Sequence, residues 1–197
     1  MNHDTTTIYS SMAMIRTFIA VDIPQEIKMD LDRLISGYRN ESKGIRWVRA
    51  QNLHLTLRFL GDVDENTIPA LAESIKANLD NIKPFDLVLS GLGGFPNLKK
   101  PRVIWVGTDD SENMLSELAL RVETACREAD FGKSDKKFSA HLTIGRIKFP
   151  QGLENILDRI ENSDFSTETF NVGEIAIYKS VLSPAGPTYT KLETVTF

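Results

Sequence analysis

Histidine and threonine stand two residues apart twice in this chain, in His54-Leu55-Thr56-Leu57 and, 87 residues later, in His141-Leu142-Thr143-Ile144. In an extended strand residues i and i+2 project to the same side. Each tetrad therefore aims an imidazole and a hydroxyl at one face and two apolar side chains at the other. Histidine is the side chain whose ordinary pKa lies near neutral pH, so of two such rings one can carry a proton while the other is free to accept one. In-line displacement at phosphorus uses that pairing, because the attacking and leaving oxygens lie on opposite sides of the phosphorus atom. The two hydroxyls suit the non-bridging oxygens, where charge accumulates. A single His-x-Thr on an apolar strand is more often structural; two copies at matching places reverse that reading.

Other chemistries lack their residues. Zinc sites take three or four protein ligands, whereas each tetrad offers one imidazole beside a poor ligand, and the third histidine, His3, lies in a polar N-terminal stretch. With no His-x-x-x-His pair either, neither a metal nor another cofactor is expected. There is no Gly-x-Ser-x-Gly elbow and no phosphate-binding P-loop. The single cysteine, Cys126, falls in an apolar helical stripe and reads as a packed core thiol. One cysteine cannot close an internal disulfide, which fits a reducing, cytoplasmic setting.

The net charge of −4 argues against wrapping long duplex nucleic acid. A nucleotide or a strand end needs only a local patch, for which there are three groups: Arg46, Arg49 and Arg58; Lys99, Lys100 and Arg102; and the run from Lys133 through Lys136 and Lys137 to Arg146 and Lys148. No apolar run approaches membrane-spanning length, so no membrane partner is expected. Residues 1–15 have neither the basic start nor the apolar middle of a signal peptide and read as a flexible leader, with 16–197 forming a single bilobal domain.

The elements that must position the two tetrads follow from local patterning. Arg16–Ile23 reads as a strand stopped by Pro24, and Ile27, Leu31, Leu34, Ile35 and Tyr38 recur at helical spacing over 25–39. A short strand at 45–48 precedes the first tetrad strand, expected over about 53–60 and ending at Gly61. A second helix follows through Ile68, Leu71, Ile75 and Leu79, with Asp64 as its N-cap. A strand from Pro84 to Leu92 ends in a turn at Gly91, Gly93 and Gly94.

The order then restarts: a strand at 102–106, a capping box from Asp109 and Glu112, a helix through Leu115, Leu118, Val122 and Ala125, a polar loop at 133–137, the second tetrad strand and a shorter helix through Leu153 and Ile160. Two β-rich runs, 168–182 and 188–196, close the chain. Both halves thus read strand–helix–tetrad strand–helix–strand, a duplication of a unit of roughly ninety residues. The expected fold is α+β and bilobal, a pseudo-twofold duplicated unit with two mainly antiparallel sheets flanking a central cleft and helices on the outer faces.

Three side chains near the tetrads have positions that strand parity can address. Arg58, four residues after His54, is expected on the face of His54 and Thr56, where it binds phosphate or forms a rim salt bridge. Arg146, five after His141, falls on the back face unless the strand bulges, which Gly145 permits. Phe18 is a candidate to stack on a base, although a strand phenylalanine is more often core.

Several motifs recur together in order and spacing: Arg16-x-Phe18, His54-Leu-Thr-Leu-Arg-Phe-Leu-Gly61, Gly91-x-Gly93-x-Phe95-Pro96, Pro101-Arg102-Val-x-Trp105, Phe138-x-x-His141-Leu-Thr-Ile-x-Arg146, and Tyr178-x-Ser180-x-Leu182 followed by Gly186 and Tyr189. From residue 16 to the C-terminus the chain resembles the 2H phosphoesterase superfamily, and within it the RNA 2′,3′-cyclic phosphodiesterases, also called 2′-5′ RNA ligases. The resemblance implies metal-free hydrolysis of a 2′,3′-cyclic phosphate at an RNA end to a 2′-phosphomonoester, with 2′-5′ joining as the reverse reaction. It implies His54 as proton donor to the leaving 3′ oxygen, His141 as the acceptor that activates water, Thr56 and Thr143 on phosphate oxygens, and Arg146 on phosphate.

The partner so implied is an RNA 3′ end or a nucleotide carrying the cyclic phosphate, met by a monomer. One residue departs from the family pattern: Ala140 stands where proline usually precedes the second histidine. Small cyclic nucleotides or 2′-5′ linked oligonucleotides as substrates, or an RNA-end-binding role without turnover, are the alternatives.

Overall fold

The computed structural model describes residues 13–110 and 112–197. His3 and most of the expected leader lie outside the described residues. In chain order the elements are β1 (Met14–Asp22), α1 (Gln25–Arg39), β2 (Ile45–Trp47), β3 (His54–Asp64), α2 (Ile68–Leu79), β4 (Phe85–Phe95), β5 (Val103–Asp109), α3 (Met114–Glu128), β6 (Leu142–Ile147), α4 (Glu154–Glu161), β7 (Phe170–Val172), β8 (Glu174–Ser183) and β9 (Gly186–Thr196). They form two antiparallel sheets of order β3-β1-β8-β9 and β2-β6-β5-β4-β7. Helices α2 and α3 pack on the first sheet, α1 and α4 on the second. The fold is the α+β arrangement of two antiparallel sheets with a duplicated element order.

The two halves of the chain are not two separate sheets. Strand β4, which ends the first half, pairs with β5 of the second, and β8, near the end of the second half, pairs with β1 of the first. The first half thus contributes β2 and β4 to the second sheet and the second half contributes β8 and β9 to the first, so the lobes are built jointly. The apolar residues of the tetrads, Leu55, Leu57, Leu142 and Ile144, are buried in the common core, so both polar tetrad positions face away from it.

Local differences from the sequence expectation have local causes. β1 begins at Met14, and β3 runs on through Gly61 to Asp64, because Met14–Thr17 pair with 61–64. The glycine run does not turn the chain: β4 continues to Phe95, and the indole of Trp105 lies over Gly93, where a Cβ would sit 2.3 Å from the ring. At the start of α3 the capping carboxylate is Asp110 rather than Asp109, accepting from the amides of Leu115 at 3.1 Å and Ser116 at 3.3 Å. Asp109 is paired with Val88 at the end of β5 and is not free to cap. Cys126 is buried, and that burial pushes its thiol up to about 12, which suits packing and not nucleophilic attack.

Candidate active site

β3 and β6 approach with Cα atoms within 8 Å, and His54, Thr56, His141 and Thr143 all line one cleft of about 960 Å³. The two imidazoles are held in the same way. Nδ1 of His54 lies 2.8 Å from the carbonyl oxygen of Asn52, and Nδ1 of His141 lies 2.8 Å from that of Ser139. A carbonyl only accepts, so each Nδ1 carries the proton and donates it, leaving each Nε2 for the cleft. The anchoring carbonyls, like the rings, are 87 residues apart.

Their surroundings differ. His54 is sandwiched under Phe18, with ring centroids 4.7 Å apart, and meets the edge of Tyr189 at 5.2 Å. Among the described residues His141 has one aromatic neighbour, Phe95, edge-on at 4.9 Å. Burial of His54 lowers its pKa from 6.5 to about 4, against the opposing pull of the Asn52 carbonyl and the Asp22 carboxylate. In the unliganded protein His54 is therefore expected to stay neutral on acidification from pH 8 to 5 and to titrate near 4, read from its ring resonances by NMR. An anion brought to the ring would favour the imidazolium, so saturating inorganic phosphate should move that midpoint upward. A free-protein midpoint near 6.5, unmoved by phosphate, would contradict both parts.

The remaining expected residues divide by how each strand bulges. In β6, Gly145 pairs with Ile104 and Thr143 with Trp105, so Ile144 is the extra residue. That bulge turns Arg146 to the cleft, where it is exposed. β3 carries the equivalent bulge: Arg58 pairs with Ile19 and Thr56 with Ala20, leaving Leu57 extra. The parity expected for Arg58 is thereby overturned. Its side chain turns inward, is 5% exposed, and meets Glu123 at 2.5 Å and the carbonyl of Gly132 at 3.0 Å. The next residue, Phe59, takes the cleft position instead and is 64% exposed. Phe18 is not an open platform either. It is 2% exposed, with His54 stacked on it and Tyr178 stacked at 5.2 Å, so it supports the imidazole and offers no face to a base.

Parity alone overlooked Phe59, which becomes visible once the bulge of the second tetrad is copied onto the first. Tyr189 lay in the C-terminal motif without a role. Burial raises its pKa, with Arg146 and Arg16 opposing, so its phenol remains protonated as a donor at the cleft. Arg49 and Asn52 secure the adjoining hairpin, donating to the carbonyls of Ala185 at 3.1 Å and Pro187 at 2.9 Å. Arg16, Arg46, Arg49, Lys136, Lys137 and Arg146 line the cleft with Asp135 as the acidic exception, so a chain of net charge −4 carries a cationic groove.

Among the described residues no helix is long and apolar enough to cross a membrane. The family model described as "LigT like Phosphoesterase" matches the chain twice, over residues 21–105 and 106–189. The chain is 37% identical over 176 residues to the RNA 2′,3′-cyclic phosphodiesterase of Methanocaldococcus jannaschii, covering 88% of this chain and 96% of that one. It is 35% identical over 179 residues to the protein of the same name from Thermotoga maritima, covering 90% and 92%. Among solved structures it resembles one from Thermus thermophilus with a TM-score of 0.74 at 29% identity, over 92% of this chain and 97% of that one. E. coli LigT complexed with 3′-AMP shares the fold, with a TM-score of 0.71 at 24% identity over 94% and 99%.

Proposed function

From the premise that the chain belongs to the LigT-like phosphoesterases, we propose that it hydrolyses 2′,3′-cyclic phosphates at RNA 3′ ends to 2′-phosphomonoesters by metal-independent acid–base catalysis. The observation that carries this reading is the matched pair of imidazoles, each fixed through Nδ1 and each lining the same cleft beside a threonine. His141 takes a proton from the attacking water, and His54 gives one to the leaving 3′ oxygen. Burial disfavours the imidazolium of His54 in the free protein, so in this reading the ring takes its proton from solvent as the anionic phosphate enters. Thr56, Thr143 and Arg146 bind the non-bridging oxygens as negative charge builds on them. Phe59, at the place in the first half that Arg146 holds in the second, is suited to stack on the base next to the cyclic end.

The cationic groove favours a strand end over a free cyclic mononucleotide as substrate. Both imidazoles come from one chain, so the reaction runs in a monomer, and the reading places it with cytoplasmic RNA. Reverse 2′-5′ joining uses the same groups, but water at its ordinary concentration drives the reaction to hydrolysis.

The test is to incubate the protein, with excess EDTA, with a short RNA ending in a 2′,3′-cyclic phosphate and to map the product. Sustained turnover to a 2′-phosphate is expected, with kcat/KM higher than on a cyclic mononucleotide. Loss of turnover on chelation, or a 3′-phosphate product, would refute this mechanism. Tight binding with no turnover would replace it with an RNA-end-binding role.

A further inference from the structure

The two halves differ most plainly in what lies beside the tetrad strand. In the second sheet β6 is flanked on its outer side by β2, which pairs through Ile45–Trp47 with 145–147. Displaced by the 87-residue repeat, β2 maps onto Gly132-Lys133-Ser134. That segment forms no strand, and β3 is left as an open edge of the first sheet. From Gly132 to Ala140 no backbone–backbone hydrogen bond forms among the described residues.

The loop is held by side chains instead, and the chain of contacts starts from Arg58. Its Nη1 meets Oε2 of Glu123 at 2.5 Å, and its Nη2 donates to the carbonyls of Gly132 at 3.0 Å and Phe131 at 3.4 Å. The other oxygen of Glu123, Oε1, accepts the amide of Ser134 at 2.9 Å, and Oγ of Ser134 donates to the carbonyl of Lys136 at 2.9 Å. The guanidinium is almost wholly buried, so its charge is unscreened by water and strongly favours its partners. Beyond Ser134 the exposed Lys136 and Lys137 line the cleft.

We propose that Arg58 and Glu123 are positioning residues that fix the 131–137 loop along the open edge of β3, and that the loop so held binds the phosphate backbone of an RNA strand adjacent to its reacting end. This rests on the reading of the cleft as an RNA-end site. It makes the missing counterpart of β2 a functional difference between the halves: one sheet edge is closed by a strand, and the other carries a cationic wall. Arg58 acts through the loop and does not touch substrate.

The experiment compares wild type with Glu123→Gln, Ser134→Ala and the double variant Lys136→Ala/Lys137→Ala. Binding is read by fluorescence anisotropy against a short single-stranded RNA ending in a 2′-phosphate, which needs no turnover, and against a 2′-phosphorylated mononucleotide. Trypsin cleavage after Lys133, Lys136 and Lys137 is followed without RNA. In Glu123→Gln and in the lysine variant, RNA affinity is expected to fall about tenfold, with a salt dependence shallower by about one to two released counterions.

Mononucleotide affinity should hold within about twofold, and trypsin should cut the Glu123→Gln loop several times faster. Ser134→Ala, a change in the loop that leaves the buried pair intact, should show about a threefold loss for RNA alone. An unchanged cleavage rate in Glu123→Gln would overturn the tether. Equal losses for RNA and mononucleotide, or RNA affinity untouched by removing both lysines, would overturn the role of the loop. Absent catalysis in a wild type that still binds RNA in this way would refute the hydrolytic reading and leave this one standing.

Discussion

Replacing either imidazole, by His54→Ala or His141→Ala, is expected to lower kcat/KM on an RNA 2′,3′-cyclic end by about 10²–10⁴-fold. The two rings occupy equivalent places, each anchored by a carbonyl two residues earlier and each beside a hydroxyl. Neither can stand in for the other, because a water activated on one side of phosphorus still needs a proton delivered to the oxygen leaving from the opposite side. The double variant should therefore fall little further than the worse single one, as expected of groups that act as a unit. RNA binding should survive in all three, since the cationic residues of the groove are untouched. Steady-state kinetics alongside a thermal melt checks this. A loss below tenfold for either variant, with the fold intact, would remove that ring from the reaction.

Much of this site was legible because the signals that build it are local. Helix α1 occupies the residues its apolar spacing marks, 25–39, since Ile27, Leu31, Ile35 and Tyr38 fall on one buried face after Pro24. The tetrads announced their polar and apolar faces through the period of two. What was not legible depends on partners distant in sequence. The placement of β8 in the first sheet depends on pairing with β1, Phe18 opposite Tyr178, and periodicity within a strand carries no information about a partner so far along the chain. The glycines near 93 looked like a turn because the indole that requires them, Trp105, is on another strand.

The most instructive case is Arg58. Parity places it beside His54, and parity fails at one extra residue, Leu57. The same displacement after His141 carries Arg146 to the cleft, and applying it to both copies would have exchanged Arg58 for Phe59 at the outset. Arg58 then has a different task, holding Glu123 and the loop carbonyls.

Complete inversion of configuration at phosphorus is the second expected result. If one imidazole serves the entering water and the other the departing 3′ oxygen, the displacement is a single in-line step with no covalent intermediate, and three non-reacting substituents turn through the plane once. A histidine acting as nucleophile would form a phosphoryl-enzyme and require a second displacement, restoring the original configuration. The two outcomes are opposite in sign, and no rate measurement separates them as sharply. The measurement hydrolyses one diastereomer of a nucleoside 2′,3′-cyclic phosphorothioate in ¹⁸O-labelled water and determines the configuration of the chiral thiophosphate product. Inversion is what two rings flanking one phosphorus atom predict; retention would contradict them.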